Sequence, residues 1–181
     1  MTHSNSKLMD MLTGYAAAHQ HPFNIAVHMV GIPTIMLGVL IPLTRVSIEI
    51  GLLRFDLAQL AVVGFFSFYW TLDKLFSLVF LFFALLISVL AARLGELPTA
   101  TWWTIAAVCF FGGYVAQFIG HAVEKSIPVV LKHPVQANLA APFFTVVEMF
   151  KLLGLRDDLF NEVQQQIAAS RQRSTGDPAD G

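Results

Sequence analysis

A single cysteine, Cys109, sits inside an apolar run of the 181-residue chain. It leaves no disulfide to form and no thiolate cluster to hold a metal, so any metal must be bound by His, Asp or Glu. Charge is scarce as well: Asp, Glu, Lys and Arg make up 13 % of the residues, and the formal net charge is -1. No basic face or stripe runs along the chain, which excludes nucleic acid as a partner. The first twenty residues hold Lys7 and Asp10 but no uninterrupted apolar run, so no cleavable signal peptide is expected and the first spanning helix does the targeting.

What the chain has in excess is apolar sequence. Hydrophobic residues make up 56 % of it, and its mean hydropathy is +0.66, too apolar for a soluble fold with a polar shell. An integral membrane protein is expected, with one membrane-embedded domain over residues 1–169. Residues 170–181, with Ser, Gly, Pro and Asp and no aromatic, predict a disordered C-terminal tail.

Four apolar runs divide the domain. Asn24 to Leu43 carries no charge over about twenty residues, the length that crosses a hydrocarbon core about 30 Å thick. Leu57 to Leu72 is shorter and ends in Phe68, Tyr69 and Trp70, amphipathic rings suited to the headgroup level. Asp73 and Lys74 then turn the chain into Leu75 to Ala92. Gly95, Glu96 and Pro98 mark a loop before Trp102 and Trp103 open the last run, which reaches Gly120.

Around these runs, Leu8, Met11, Leu12 and Tyr15 recur at helical spacing and predict a short amphipathic helix behind a frayed polar start. The charged stretch Thr44 to Asp56 predicts an interfacial loop. After Pro128, Pro134 and Pro142, the residues Phe143, Val147, Met149, Phe150 and Leu153 predict a helix lying in the interface. The fold class is therefore all-α: a membrane helical bundle of about four transmembrane helices plus short interfacial helices at both ends. Lys7, Lys74, Lys125 and Lys132 on the side of the termini, against Arg45, Arg54 and Arg93 opposite, favour cytoplasmic termini.

Three of the six histidines, His19, His21 and His28, gather at the mouth of the first run. Pro22 suits the first turn of a helix, so the helix starts near His21 and Asn24 shares a face with His28. Tyr15 shares a face of the preceding helix with His19. A second polar stripe closes the fourth run, where Gln117, His121 and Glu124 project from nearly one line and Gly120 leaves room for close approach. Four crossings return the chain to the side where the first began, so both motifs fall on one membrane face, provided Leu57 to Leu72 crosses. The cluster is either a metal site or a wet interfacial collar.

Imidazole and carboxylate ligands suit Fe(II), Mn(II) or Zn(II). Six histidines are too few for the repeated His-x-x-His boxes of two-iron membrane hydroxylases, which favours one metal. Asn24 and Gln117 fit the partners that orient ligating imidazoles. Glu124 reads either as an ion-pair partner of Lys125 or Lys132, or as a ligand or base. Glu148 with Lys151 reads as a surface pair, with a place in the metal shell as the alternative, and Phe76, Phe80, Phe82 and Phe83 read as a lipid-facing or packing surface, with a fatty-acyl groove as the lesser reading.

The order His19, Asn24, His28, Gly31, Ile32, Pro33, then Gln117 to His121 with Glu124, Pro128, Pro142 and Glu148, resembles the family of 2-hydroxy fatty acid dioxygenases over residues 8–155. The resemblance implies a membrane enzyme that uses Fe(II) and dioxygen to shorten a long-chain 2-hydroxy fatty acid by one carbon, in contact with membrane lipid. Carried over residue by residue, it implies His19, His28 and His121 as metal ligands, with Asn24 and Gln117 as the polar neighbours that serve the cofactor. Glu124, and Tyr15 beside His19, are the catalytic candidates. His21 departs from the family's pattern, and His133 has no counterpart in it. The alternative function is a non-catalytic membrane bundle that binds a metal or a partner protein.

Overall fold

The computed structural model describes residues 3–51 and 53–175. Eight helices, α1 (His3–Ala18), α2 (Pro22–Leu43), α3 (Leu57–Trp70), α4 (Lys74–Gly95), α5 (Thr99–Glu124), α6 (Val129–Lys132), α7 (Pro134–Leu152) and α8 (Asp157–Thr175), form an all-α bundle. Where an interfacial loop was expected, a two-stranded antiparallel hairpin stands instead, β1 (Ser47–Ile50) on β2 (Leu53–Asp56), in the register Ser47 to Asp56. Gly51 turns it with φ 63°. Asp56 then caps α3 through the Gln59 N–H at 2.7 Å, and Gln59 returns the bond to the Asp56 N–H.

Among the described residues, three helices, α2, α4 and α5, are each long and apolar enough to cross a membrane, and the bent pair of α7 and α8, taken as one span, is a fourth candidate. The second predicted span is the exception. α3 has 14 residues, about 21 Å of helix against a core of about 30 Å, because Asp56 caps it at one end and the turn at Thr71 ends it at the other. It still carries the chain back: Gly95, at the end of α4, packs against Thr44 and Arg45, just past the end of α2. α2 and α4 thus finish on one side, and α5 returns to the other.

Antiparallel packing of α2 on α5 follows from contacts repeated every seventh position, each with a small residue on at least one helix. Asn24 meets Gly120, Gly31 meets Gly113, and Gly38 meets Ala106. A seven-residue period returns to one helix face after two turns, and small side chains there let two backbones approach. At Gly38 the approach is closest, since a Cβ would lie 2.6 Å from the Phe110 nitrogen and 2.8 Å from the Ala106 oxygen.

The helix expected in the interface packs into the bundle. Phe143, Val147 and Phe150 of α7 are buried, and the Phe76 ring meets Phe143 and Phe150 edge-on at 5.8 and 4.9 Å. Phe76 and Phe80 are therefore core, while Phe82 and Phe83 are exposed. Asp73 caps α4 at the Phe76 N–H (3.0 Å) and accepts from Arg156 at 2.6 Å. That ion pair ties the 111° corner between α7 and α8 to the start of α4. Along α8, Val163 and Ile167 are buried with Leu8 and Leu12 of α1 in the same core. α8 reaches Thr175, so residues 170–175 of the expected tail are helical, while residues 176–181 lie outside those described.

Candidate metal centre

α2 begins where the sequence predicts, with Pro22 in its first turn and His21 as its N-cap. His28 therefore points from the second turn of α2 beside His19, in the short link from α1, and His121 in the last turn of α5. All three are buried, and one ring nitrogen from each lies within 4.8 Å of the others. The ring centroids are 4.6, 5.0 and 5.1 Å apart.

Backbone carbonyls fix two of the tautomers. His19 Nδ1 donates to the Tyr15 carbonyl at 3.0 Å, and His28 Nδ1 donates to the Asn24 carbonyl at 2.9 Å. A carbonyl only accepts, so each proton sits on Nδ1 and each Nε2 is a bare lone pair. Those two Nε2 atoms face one another at 3.3 Å. Burial pushes the His19 imidazole down to about 4, against the opposing pull of the Tyr15 carbonyl, so at neutral pH no proton is shared between the rings. Two facing lone pairs repel unless a cation stands between them. The donor set could hold a metal ion, since a ligating imidazole donates its other N–H to such a carbonyl.

His121 is held differently. Its Nδ1 pairs with the Ser126 hydroxyl at 2.8 Å. Lys125 ends α5 in the left-handed region with φ 57°, and the Ser126 N–H bonds back to the His121 carbonyl at 3.0 Å, a helix-terminating turn that brings Ser126 under the ring. Ser126 was not among the sequence candidates. The signal for it, a hydroxyl five residues past His121, depends on the left-handed turn at Lys125.

Glu124 stands outside the three-histidine cluster. Its carboxylate accepts the backbone N–H of Gln20 at 2.5 Å, that of His21 at 3.0 Å, and the side-chain amide of Asn24. It therefore fastens the end of α5 to the link carrying His19 and to the first turn of α2. Asn24 supports His28 through its backbone carbonyl, while its side chain serves Glu124 and rests on Gly120. Its Oδ1 is buried without a hydrogen bond. Gln117 packs on Gly31 and lines the cavity described below.

Tyr15 is stacked between His19 (3.9 Å) and Phe144 (3.7 Å), which orients the His19 ring. Burial, then the Glu148 and Glu124 carboxylates, push its phenol pKa up, so it stays protonated. Glu148 is buried beside Tyr15 and His28 rather than lying on the surface, although it keeps its Lys151 partner at 3.5 Å. His21 and His133 are exposed and outside the cluster.

A cavity of about 790 Å³ opens below the histidines. His28, Ile32, Ile35, Val39 and Leu43 of α2 follow one wall of it, facing Phe110, Gln117 and His121 of α5. From His28 to Leu43 that wall is about 22 Å long.

Over residues 5–153 the chain matches the family described as 2-hydroxy-palmitic acid dioxygenase Mpo1-like. The chain belongs to this family. No curated protein and no solved structure matches it. The matched range begins in α1 and ends just past α7, so the three histidines, Ser126 and Glu124 fall inside it and α8 falls outside.

Proposed function

We propose that this protein is an Fe(II)-dependent dioxygenase that shortens long-chain 2-hydroxy fatty acids by one carbon. The reading is carried by three buried imidazoles converging at the head of an apolar cavity, two of them with Nε2 bared by backbone carbonyls. Imidazole suits iron as well as zinc or copper, and oxidation by dioxygen selects the redox-active metal. When bound there, iron would supply a common site for the 2-hydroxy acid and dioxygen.

The remaining tasks fall to the chain. His19, His28 and His121 hold the ion, and their burial keeps bulk water away. Half-buried Gln117 lies in the cavity wall with His28 and His121 and is placed to bind the carboxylate or hydroxyl of the acid. Protonated Tyr15 lines the same cavity and is available as a donor. The apolar wall takes the acyl tail: its length of about 22 Å exceeds the roughly 15 Å that one leaflet of a 30 Å core gives an acyl chain. Each buried methylene adds about 0.8 kcal/mol of affinity, so short hydroxy acids are poor substrates. Atoms balance when 2-hydroxy acid and dioxygen give the acid one carbon shorter, carbon dioxide and water, with the C1–C2 bond broken.

The test incubates iron-loaded protein with a long-chain 2-hydroxy acid, its 3-hydroxy isomer and the unsubstituted acid under labelled dioxygen. Only the first is shortened, and its product carries label. Absence of a shortened acid, or of label in it, makes the non-catalytic metal-binding bundle the better account. The lysine bias puts the termini and the histidine end on the cytoplasmic side. Reporter fusions at residue 49 and at the C-terminus then report opposite sides.

A further inference from the structure

The first half of α7 lines the cavity and meets the core only near its end, at half-buried Ala140. Residues 134–141 include none that is buried, whereas from Pro142 onward Phe143, Phe144, Val146, Val147 and Phe150 all are. α6, just before it, has no buried residue either. Pro142 sits at the change. It has no N–H for the Asn138 carbonyl, and its ring crowds that carbonyl. In the same turn the Leu139 carbonyl takes a hydrogen bond from outside the helix, from the Tyr69 hydroxyl at 2.6 Å, the kind of side-chain support that lets a proline stand within an intramembrane helix.

Across from this segment runs α5, and the two helices share little contact. Among the described residues, the side-chain hydrogen bond that joins them is Tyr114 Oη donating to Asn138 Oδ1 at 2.5 Å. Asn138 Nδ2 in turn donates to the Pro134 carbonyl at 2.9 Å. Both sides of the gap line the cavity, Tyr114 and Phe118 from α5, Val129 and Asn138 from α6 and α7. Both segments carry exposed apolar side chains, Val115 and Phe118 on α5, Leu131 on α6 and Val135 on α7.

We propose that α6 and the first half of α7 form a flap hinged at Pro142 and latched to α5 by Tyr114 and Asn138, and that the gap behind it admits a single-chain fatty acid sideways from the bilayer. A long-chain acid resides with its tail among lipid tails, and a path through water would expose every methylene. The gap instead leads to the cavity between segments that carry exposed apolar side chains. The Tyr69–Leu139 bond lies in the turn next to the hinge; away from it, the Tyr114–Asn138 hydrogen bond is a latch weak enough to open on the timescale of lid motions. The inference rests on the proposed function only in that the cavity takes an acyl chain.

The test uses full-length protein in nanodiscs and cis-parinaric acid, a fatty acid whose fluorescence rises in apolar sites, delivered from phosphatidylcholine vesicles. In a Cys109→Ser background, Tyr114→Cys and Asn138→Cys are joined by a bifunctional maleimide. Co(II) absorption at the histidines confirms that each variant keeps its fold. The joined protein loses uptake, the unjoined double variant keeps it, and Tyr114→Phe speeds it about fivefold, which corresponds to about 1 kcal/mol for the lost bond. Uptake by the joined protein at the rate of the unjoined one overturns the portal, as does failure of the reagent to join the two positions. Normal parinaric acid uptake by a protein that leaves a 2-hydroxy acid uncleaved sinks the proposed activity while supporting the portal.

Discussion

Asn24 Oδ1 rests on Gly120 so closely that a Cβ built on the glycine would overlap it, and that Cβ would also lie 3.4 Å from the Asn24 Cα. The contact is the last of three steps, after Gly38 with Ala106 and Gly31 with Gly113, and it is the step beside the histidines. One seam therefore sets both the stability of the bundle and the spacing of His28 from His121.

Substitutions along that seam separate the two roles. In Gly38→Ala the new methyl meets backbone on α5 at 2.6 and 2.8 Å, and backbone cannot step aside, so a loss of about 3 kcal/mol is expected, the upper end for overpacking. In Gly120→Ala the obstacle is mainly a side-chain amide, and the expected loss of about 1 kcal/mol comes with weaker metal binding as Asn24 is pushed off Glu124. Gly112→Ala, with open space around it, is neutral or gains up to about 1 kcal/mol of helix propensity. Unfolding in detergent micelles, with metal titration alongside, checks all three.

Alanine at His19, His28 or His121 removes one of three converging nitrogens, so each variant is expected to lose stoichiometric metal. Alanine at His21 or His133, both exposed, leaves it bound. Metal analysis of purified protein decides this without reference to turnover. Full occupancy in His121→Ala would take α5 out of the site.

Ser126 offers a finer handle on the same centre. Its hydroxyl meets His121 Nδ1 at 2.8 Å, and loss of such a partner costs about 10- to 100-fold in metal affinity. Ser126→Ala is expected within that range. Ser126→Thr, which keeps the hydroxyl, recovers most of it. Competition with a chelator of known affinity measures both, and an unchanged affinity in Ser126→Ala would assign the bond to the helix end alone.

Much of this is legible in the sequence because membrane helices carry their length in composition. Pro22 and the uncharged run to Leu43 mark α2 to within two residues, and the return of the chain brings His28 beside His121 as anticipated. The sequence predicts α3 longer than it is because Thr71 and Leu72 extend its apolar run, whereas the turn before Asp73 ends the helix at Trp70. The α2–α5 seam is not legible because each half is only three residues spaced seven apart, and their pairing is a property of the register between helices. Nor is the cavity. Its outer wall is the unburied half of α7, whose residues carry no pattern of their own.

Glu124 is where the chemistry of the site is most easily mistaken for something else, and an exchange of partners separates the readings. One carboxylate oxygen accepts two backbone N–H groups, from Gln20 and His21, and the other accepts the Asn24 amide. Glu124→Gln can keep the first pair, but it turns an amide donor toward the Asn24 donor. A hydrogen bond to a charged group is worth about 1.5–3 kcal/mol, and here it is replaced by two donors in contact. The link carrying His19 loosens, and metal affinity and activity fall together. Asn24→Asp alone faces one carboxylate with another and is worse. In the double variant, Asn24→Asp with Glu124→Gln, the amide introduced on α5 donates to the carboxylate introduced on α2, while the oxygen of that amide still receives both backbone N–H groups. The pattern is restored with donor and acceptor exchanged. If Glu124 acts as the clamp, the double variant recovers metal affinity and activity beyond either single one, with a coupling energy of about 1–3 kcal/mol in the double-mutant cycle. If the carboxylate itself served as a ligand or a base, the double variant would stay as inactive as Glu124→Gln, since no arrangement of the exchanged pair puts a carboxylate back at the end of α5.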